Sequence, residues 1–331
     1  MQVKNNYSSD YYIQGILQKD RIILSKAITI IESTKQADER LADEILQTCI
    51  QLQKNSKRIA ITGSPGAGKS TFINTLGKML LDQQQSVAVL AIDPSSSKSK
   101  GSILGDKTRM EDLVGNSNCY IRPTASNSNL GGVARNTRET ILLCEAFGFD
   151  YIFIETVGVG QSETMVKNMV DLFLLLLLPN SGDELQGIKR GIMEMADIVL
   201  INKSEEENKA AAKIAATQVK HALHLFAASE KDWTTPVLNI SSIQQTGFQE
   251  LIHKIDAYFL KIESSGYKQQ LRKQQDLFWL EETILQELQQ AFSSNKNIAD
   301  LKNKLQKKII ENEINAVQAA KFLVQKFLEQ P

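Results

Sequence analysis

The sequence predicts an α/β fold, a doubly wound, mostly parallel sheet carrying helical extensions at its N- and C-terminal ends. Three observations predict it. Between Arg58 and about Gly266 short apolar runs alternate with helical stretches, whereas residues 12–52 and the chain beyond Gln269 show only helical periodicity. The runs lack in/out alternation, as expected of parallel strands covered on both faces. The first run leads into Gly63-Ser-Pro-Gly-Ala-Gly-Lys-Ser-Thr71, a glycine-rich turn of the kind that opens a helix.

In chain order, Ile13, Ile16, Leu17, Leu24, Ala27, Ile28 and Ile31, then Leu41, Ile45 and Cys49, recur at threes and fours, so residues 1–54 form an N-terminal helical segment. The strand-like runs follow: Ile59–Thr62, Val87–Ile92, Tyr151–Glu155, Leu172–Leu178, Ile198–Asn202 and Pro236–Ile240. Strands alternating with helices imply right-handed crossovers and a domain over 55–266. Residues 267–331 form a C-terminal helical segment. Leu277, Leu280, Ile284, Leu288 and Phe292 make one apolar stripe, and Leu301, Leu305, Ile309, Val317, Ala320, Val324 and Phe327 another.

Composition narrows the function. Lys plus Arg and Asp plus Glu both number 38, so no net field exists to hold a polyanion, and nucleic acid is not expected as a partner. The most apolar stretch, Leu172–Leu178, is far shorter than a bilayer span, and no membrane association is expected. The N-terminus lacks the apolar core of a signal peptide, and three scattered cysteines fit a reducing cytoplasm.

Gly63-x-x-x-x-Gly68-Lys69-Ser70 is a phosphate-binding loop. Its glycines allow backbone N–H groups to turn onto phosphate, Lys69 neutralises β- and γ-phosphate charge, and the Ser70 hydroxyl is a Mg²⁺ ligand. The expected contact set is Gly63, Ser64, Pro65, Gly66, Ala67, Gly68, Lys69, Ser70 and Thr71, with the helix N-terminus adding partial positive charge. Magnesium takes oxygen ligands. Asp93 and Glu155 end strands, where ligands bind in doubly wound sheets, and Asp106 lies in the turn-rich Gly101–Met110. Glu155-Thr-Val-Gly158 resembles the Asp-x-x-Gly switch of GTPases, in which the Gly158 N–H would bond the γ-phosphate. Val159 follows, so the water-orienting Gln of some GTPases is missing there, although Gln161 is close in sequence.

Base choice is expected at Asn202-Lys203-Ser204-Glu205, in the place of an Asn-Lys-x-Asp guanine reader. A carboxylate there accepts bonds from guanine N1 and N2, which adenine cannot supply. Ser241-Ser242-Ile243 resembles the Ser-Ala loop whose backbone meets the guanine carbonyl. In this order, these strings favour GTP and GDP over adenine nucleotides.

With these residues in view, the chain resembles the methylmalonyl-CoA mutase-associated GTPases, metallochaperone-class P-loop enzymes, some of them described as lysine/arginine/ornithine transport-system kinases. The resemblance spans nearly the whole chain. It rests on Gly63–Phe72, Ala91–Ser97, Gly101–Met110, Glu155–Glu163 and Asp183–Met193. It implies that Ser70, Asp93, Asp106 and Glu155 surround Mg²⁺, that Lys69, Asp106, Glu155 and Lys189 act in hydrolysis, and that Gly182–Lys189 is a further switch sensing a partner mutase. It further implies a homodimer using the terminal helices, and a cytoplasmic chaperone whose GTP turnover gates adenosylcobalamin delivery to an acyl-CoA mutase. Glu205 and Ser242 depart from the family's usual Asp and Ala. Two alternatives remain: a transport-system protein kinase, for which no acceptor-activating base stands out, and a nickel-insertion GTPase, whose transfer ligands His221 and His224 alone suggest. A partitioning-type ATPase would carry a lysine where Ser64 stands.

Overall fold

The computed structural model describes residues 7–52, 54–93, 110–125, 130–156, 162–179, 190–225 and 232–329. The chain divides into two compact units, Met1–Gln275 and Asp276–Pro331.

The first unit begins with α1 (Ser9–Leu17), α2 (Arg21–Ile31) and α3 (Gln36–Gln51). The Asp20 carboxylate caps α2 by accepting the N–H groups of Ile22 and Ile23, and Leu24, Ala27, Ile28 and Ile31 form its buried stripe. Among the described residues seven strands then build one sheet: β1 (Lys57–Gly63), β2 (Val87–Asp93), β3 (Cys119–Ala125), β4 (Tyr151–Glu155), β5 (Leu172–Leu177), β6 (Ile198–Ile201) and β7 (Val237–Asn239). Their order is β3-β2-β4-β1-β5-β6-β7, and every pairing is parallel. The mostly parallel doubly wound sheet is thus observed as wholly parallel.

The six expected strands are present, and β3 is a seventh that hydrophobic patterning did not reveal. Arg122 and Pro123 interrupt its apolar run. Proline is tolerated because, among the described residues, β3 is an edge strand paired only with β2. The N-terminal helices reach this edge. Arg21 donates to the carbonyls of Asn116 and Cys119 at 2.8 and 2.9 Å. Ser25 Oγ lies 3.1 Å from the Tyr120 hydroxyl, and Arg122 pairs with Glu32.

Helices cover both faces of the sheet, which is why its strands read as continuous apolar runs. On one face α4 (Lys69–Asp82) and α9 (Phe248–Ser264) bury Phe72, Leu76, Leu251, Ile255 and Phe259 against Ile59, Ile61, Leu172, Leu174 and Leu176. On the other, α8 (Lys209–Leu223) sets Ala212, Ala215 and Val219 on Leu175, Leu177, Val199 and Ile201. Alternate leucines of β5 therefore serve opposite layers. Helix α5 (Leu130–Phe147) packs on β2 and β3 and carries the N-terminal helices on its far side. Short helices α6 (Ser162–Lys167) and α7 (Arg190–Met195) follow β4 and β5.

At the N-terminal ends of the strands lies a buried ionic network. The Arg58 guanidinium donates to both Glu145 oxygens at 2.7 and 2.6 Å. Arg272, in α10 (Tyr267–Ser294), donates to both Asp171 oxygens at 2.9 and 2.8 Å and to the Ser56 carbonyl at 2.9 Å. It also lies 3.2 Å from Glu145. The second unit begins within α10 and continues through α11 (Lys296–Ile310) and α12 (Ala316–Leu328). Its core holds Ile298, Leu305, Ala319 and Leu323, with Phe292, Leu301, Ile309 and Phe327 packed alongside. The stripe expected on α12 is shifted. Ala319, Leu323 and Phe327 face the core, whereas Val317, Ala320 and Val324 are exposed.

Candidate nucleotide site

Strand order locates the site. From β1 the chain runs outward to β2 and β3, returns to β4, then crosses β1 to β5. The carboxyl end of β1 is therefore the point where connections diverge, the place where α/β sheets bind ligands. The turn Gly63–Gly68 occupies it, and α4 starts at Lys69.

Two glycines are required here by geometry. A Cβ on Gly63 would stand 2.3 Å from the Leu176 carbonyl oxygen, so the loop leaves β1 against the backbone of β5. Gly68 has φ 86° and lies so close to Asn202 that a Cβ would meet its amide nitrogen at 2.8 Å. At α4 the first N–H groups lack intrahelical partners and present donors to an anion.

The Lys69 ammonium folds back over the loop, donating to the carbonyls of Gly63 at 2.8 Å and Ser64 at 3.2 Å. Burial lowers its pKa below the ordinary lysine value, while the charges of Glu155 and Glu163 pull in the opposite direction. Ser70 Oγ donates to Glu155 Oε1 at 2.9 Å, and Glu155 is 9% exposed at the end of β4. A serine hydroxyl and a buried carboxylate converging beside the phosphate loop are hard oxygen donors that fit Mg²⁺. Asp93 is the last residue of β2, so its backbone lies at the same end of the sheet; its side chain, like Asp106, Gly158 and Lys189, falls outside the described residues.

The base-reading strings meet around Asn202. Its amide donates to the Ala67 carbonyl at 2.8 Å, and its oxygen accepts the Ser242 N–H at 3.2 Å and hydroxyl at 2.8 Å. Phosphate loop and base loop are thus joined through one buried side chain. Lys203 takes a left-handed backbone turn (φ 58°) and is exposed. Glu205 accepts a 2.7 Å bond from Ser241 Oγ, and Ile243 is 76% exposed. The exposed His221 and His224 lie at the C-terminal end of α8.

Three features went unread in the sequence. The buried Thr75 hydroxyl donates to the Ser242 carbonyl at 2.8 Å, fixing the base loop to α4. Thr156 and Thr62 share a buried 2.8 Å hydroxyl bond between the ends of β4 and β1. Glu163, fully buried in α6, adds a second carboxylate to the surroundings of Lys69. The only signal for Thr75 is a polar residue within the apolar stripe Phe72, Ile73 and Leu76. A cleft of about 830 Å³ lies at the other end of the strands, lined by Asp197, Lys220, Trp233 and Pro236 among others. The phosphate-loop chemistry lies at the opposite, carboxyl ends of the strands.

The profile of the family described as methylmalonyl Co-A mutase-associated GTPase MeaB matches residues 24–297. The chain belongs to this family. It is accordingly a P-loop GTPase, in keeping with the fold and with its relatives. A Caulobacter vibrioides protein that carries a GTPase name is 45% identical over 308 residues, 93% of this chain and 94% of that one. GTPase ArgK of Escherichia coli is 42% identical over 280 residues, 83% of this chain and 85% of its own. The crystal structure of a protein described as LAO/AO transport system kinase superposes with a TM-score of 0.77 at 32% identity, covering 99% of this chain and all of that one.

Proposed function

We propose that this GTPase is a chaperone for a cobalamin-dependent acyl-CoA mutase of the methylmalonyl-CoA type, its GTP turnover gating adenosylcobalamin loading and release of damaged cofactor. The observation that carries this reading is the Lys69–Ser70–Glu155 constellation at the sheet's divergence point, in a chain that matches the mutase-associated family over residues 24–297. In this reading Lys69 leaves the Gly63 and Ser64 carbonyls to meet β- and γ-phosphate. The backbone of Gly63–Thr71 cradles the phosphates, and Asn202, Lys203, Glu205, Ser241, Ser242 and Ile243 hold guanine. Ser70, Asp93, Asp106 and Glu155 hold magnesium, which when bound neutralises phosphate charge. Gly158 senses the γ-phosphate, and the loops Gly101–Met110 and Gly182–Lys189, with Asp106 in the first and Lys189 in the second as charged effectors, respond to the mutase.

Glu155 is followed at Val159 by a side chain that cannot orient water, so the isolated protein hydrolyses GTP slowly. Missing transition-state groups cost GTPases a factor of about 10³–10⁵, which a partner restores by reshaping loops. Phosphate release at saturating GTP, with and without an acyl-CoA mutase, tests this. The mutase should accelerate turnover, and Lys189→Ala should depress the stimulated rate far more than the basal one. A fast basal rate indifferent to any mutase would remove the chaperone reading.

We also infer a homodimer formed through the C-terminal helices. On α10, Leu277, Leu280, Ile284 and Leu288 are 65%, 54%, 43% and 54% exposed along one face. Such a stripe calls for a covering surface, and an obligate dimer buries roughly 2,000 Å² or more. Light scattering of the full chain at micromolar concentration should give twice the 36.9 kDa mass, and Leu280→Lys with Leu288→Lys should halve it. A monomeric wild-type protein rejects this assembly. The three unpaired, buried cysteines support the reading of a protein that works in a reducing cytoplasm.

A further inference from the structure

Two neighbouring strand ends carry the residues that meet beside the phosphate loop. β1 and β4 are parallel, and their register ends with Ile61 opposite Glu155. On its other side Glu155 is paired with Ala91 of β2. One residue further on, the ladder continues toward β1, where the Thr156 N–H donates to the Ile61 carbonyl at 3.1 Å. Thr62 is the residue before Gly63, which opens the phosphate loop, and Thr156 is the residue after Glu155.

Side chains alternate across this pair of strands. Ile59, Ile61, Tyr151 and Phe153 belong to the layer that contains α4, and Glu155 Oε1 accepts the Ser70 hydroxyl of that helix. Thr62 and Thr156 are one residue out of phase and lie on the opposite face. There the Thr156 hydroxyl donates to Thr62 Oγ1 at 2.8 Å, with both residues 1% exposed. The same face otherwise carries Ala60, Ile152 and Ile154, all fully buried. Apolar side chains would therefore fill this space as well. Hydroxyls cost free energy to bury and are tolerated when they bond to each other. Threonine is also stiff about χ1, so two of them joined by a hydrogen bond hold their backbones at a fixed separation.

We propose that Thr62 and Thr156 are positioning residues for the magnesium site: their hydroxyl bond closes the end of the β1–β4 ladder and so fixes Glu155 at the spacing from Ser70 that lets both oxygens reach one ion. The inference rests on Ser70 and Glu155 binding magnesium. Ser70 hangs from β1 through the phosphate loop, and Glu155 hangs from β4. The distance between these strand ends is then the distance between two metal ligands. Magnesium demands near-ideal geometry at about 2.0–2.1 Å, so a small fraying of the β4 end is felt first by the metal. The nucleotide phosphates are held by the loop and α4, which do not depend on β4. Both threonines act through Glu155.

The test is calorimetric titration of magnesium into the GDP-loaded full chain, set beside GDP affinity measured in EDTA. Thr156→Val keeps the shape and removes the hydroxyl. It should weaken magnesium about tenfold, the low end of what losing an outer partner costs a metal site, and leave GDP affinity in EDTA unchanged. Thr62→Val should do the same, and combining the two should add little, because the pair acts as a unit. Thr156→Ser keeps the hydroxyl and should retain most of the affinity. If the valine variants bind magnesium like wild type, or lose GDP affinity in EDTA as much as they lose magnesium, the positioning role is overturned. Glu155→Gln separates the two levels of the argument. Magnesium affinity that falls in this variant but holds in both valine variants sinks the inference and leaves the metal site intact. An affinity unmoved by Glu155→Gln sinks both.

Discussion

Replacing Arg272 by methionine keeps the bulk of the side chain and removes its charge and donors. The structure sets the magnitude. The guanidinium supplies both bonds to Asp171, one to the Ser56 carbonyl and a contact to Glu145, and both carboxylates have fully buried side chains. Removing one member of a buried ionic group costs about 3–5 kcal/mol, because a buried charge loses its partner. Arg58 still faces Glu145 and donates its N–H to Asp171, so the lower end, about 3 kcal/mol, is expected. For a unit of this size that is a fall in Tm of about 6–12 °C. The loss should also depend on pH. Burial pushes the Asp171 carboxyl upward, but Arg272 first, then Arg58 and Lys268, outweigh it and hold the pKa below the ordinary aspartate value. A lowered folded-state pKa gives stability that is present above the unfolded value and lost as pH falls through the folded one. Without Arg272 the pKa rises, so the variant sheds its penalty by protonating. The gap between variant and wild type should therefore narrow from pH 7 toward pH 4. Urea denaturation across that range is the assay. A gap that is constant with pH, or smaller than about 1 kcal/mol at neutrality, would refute the network as an anchor of α10.

Three further outcomes are expected. Saturating GTP with magnesium, at 100 times its Kd, should stabilise the wild-type chain by about 2.7 kcal/mol in a thermal-shift assay and leave Lys69→Ala unmoved; equal shifts in both would contradict a phosphate role for Lys69. Gly68→Ala adds a Cβ 2.8 Å from the Asn202 amide at φ 86°, so nucleotide affinity measured by calorimetry should fall by tenfold or more, about 1.4 kcal/mol; an unchanged affinity would show that the turn has slack. Thr75→Val removes the bond to the Ser242 carbonyl while keeping shape. It should cost about 1–2 kcal/mol in urea denaturation, with the loss appearing in guanine-nucleotide binding too, and a neutral substitution would mean that the base loop holds itself in place.

The sheet was legible where burial on both faces leaves a plain mark. Leu172–Leu177 cannot read as anything but apolar, since alternate residues serve opposite helical layers. Strand β3 was hidden because an edge strand tolerates what a central one cannot, here Arg122 and Pro123. The phosphate loop was legible because close backbone approach excludes side chains at Gly63 and Gly68, and because anion chemistry needs Lys69 and Ser70 at a fixed spacing. Thr75, Thr62 and Thr156 were not, since their partners lie on other elements and a lone polar residue in an apolar stretch has no spacing to read. The C-terminal stripe was misplaced for a related reason. Helix α12 carries Val317 and Val324 as well as Ala319, Leu323 and Phe327, and periodicity cannot say which set meets α11.

The clasp on the edge strand has a consequence for how the chain is made. Arg21 and Glu32 precede their partners Cys119 and Arg122 by 98 and 90 residues. At about 5–20 residues per second, the ribosome releases the helical cover roughly 5–20 s before the strand it protects exists. During that interval Leu24, Ala27, Ile28 and Ile31 have neither α5 nor the sheet to lie against, so α1, α2 and α3 must shelter one another. When β3 does emerge, its open side meets a ready cover. The row of unpaired backbone groups that would otherwise recruit a second nascent chain is closed as it forms.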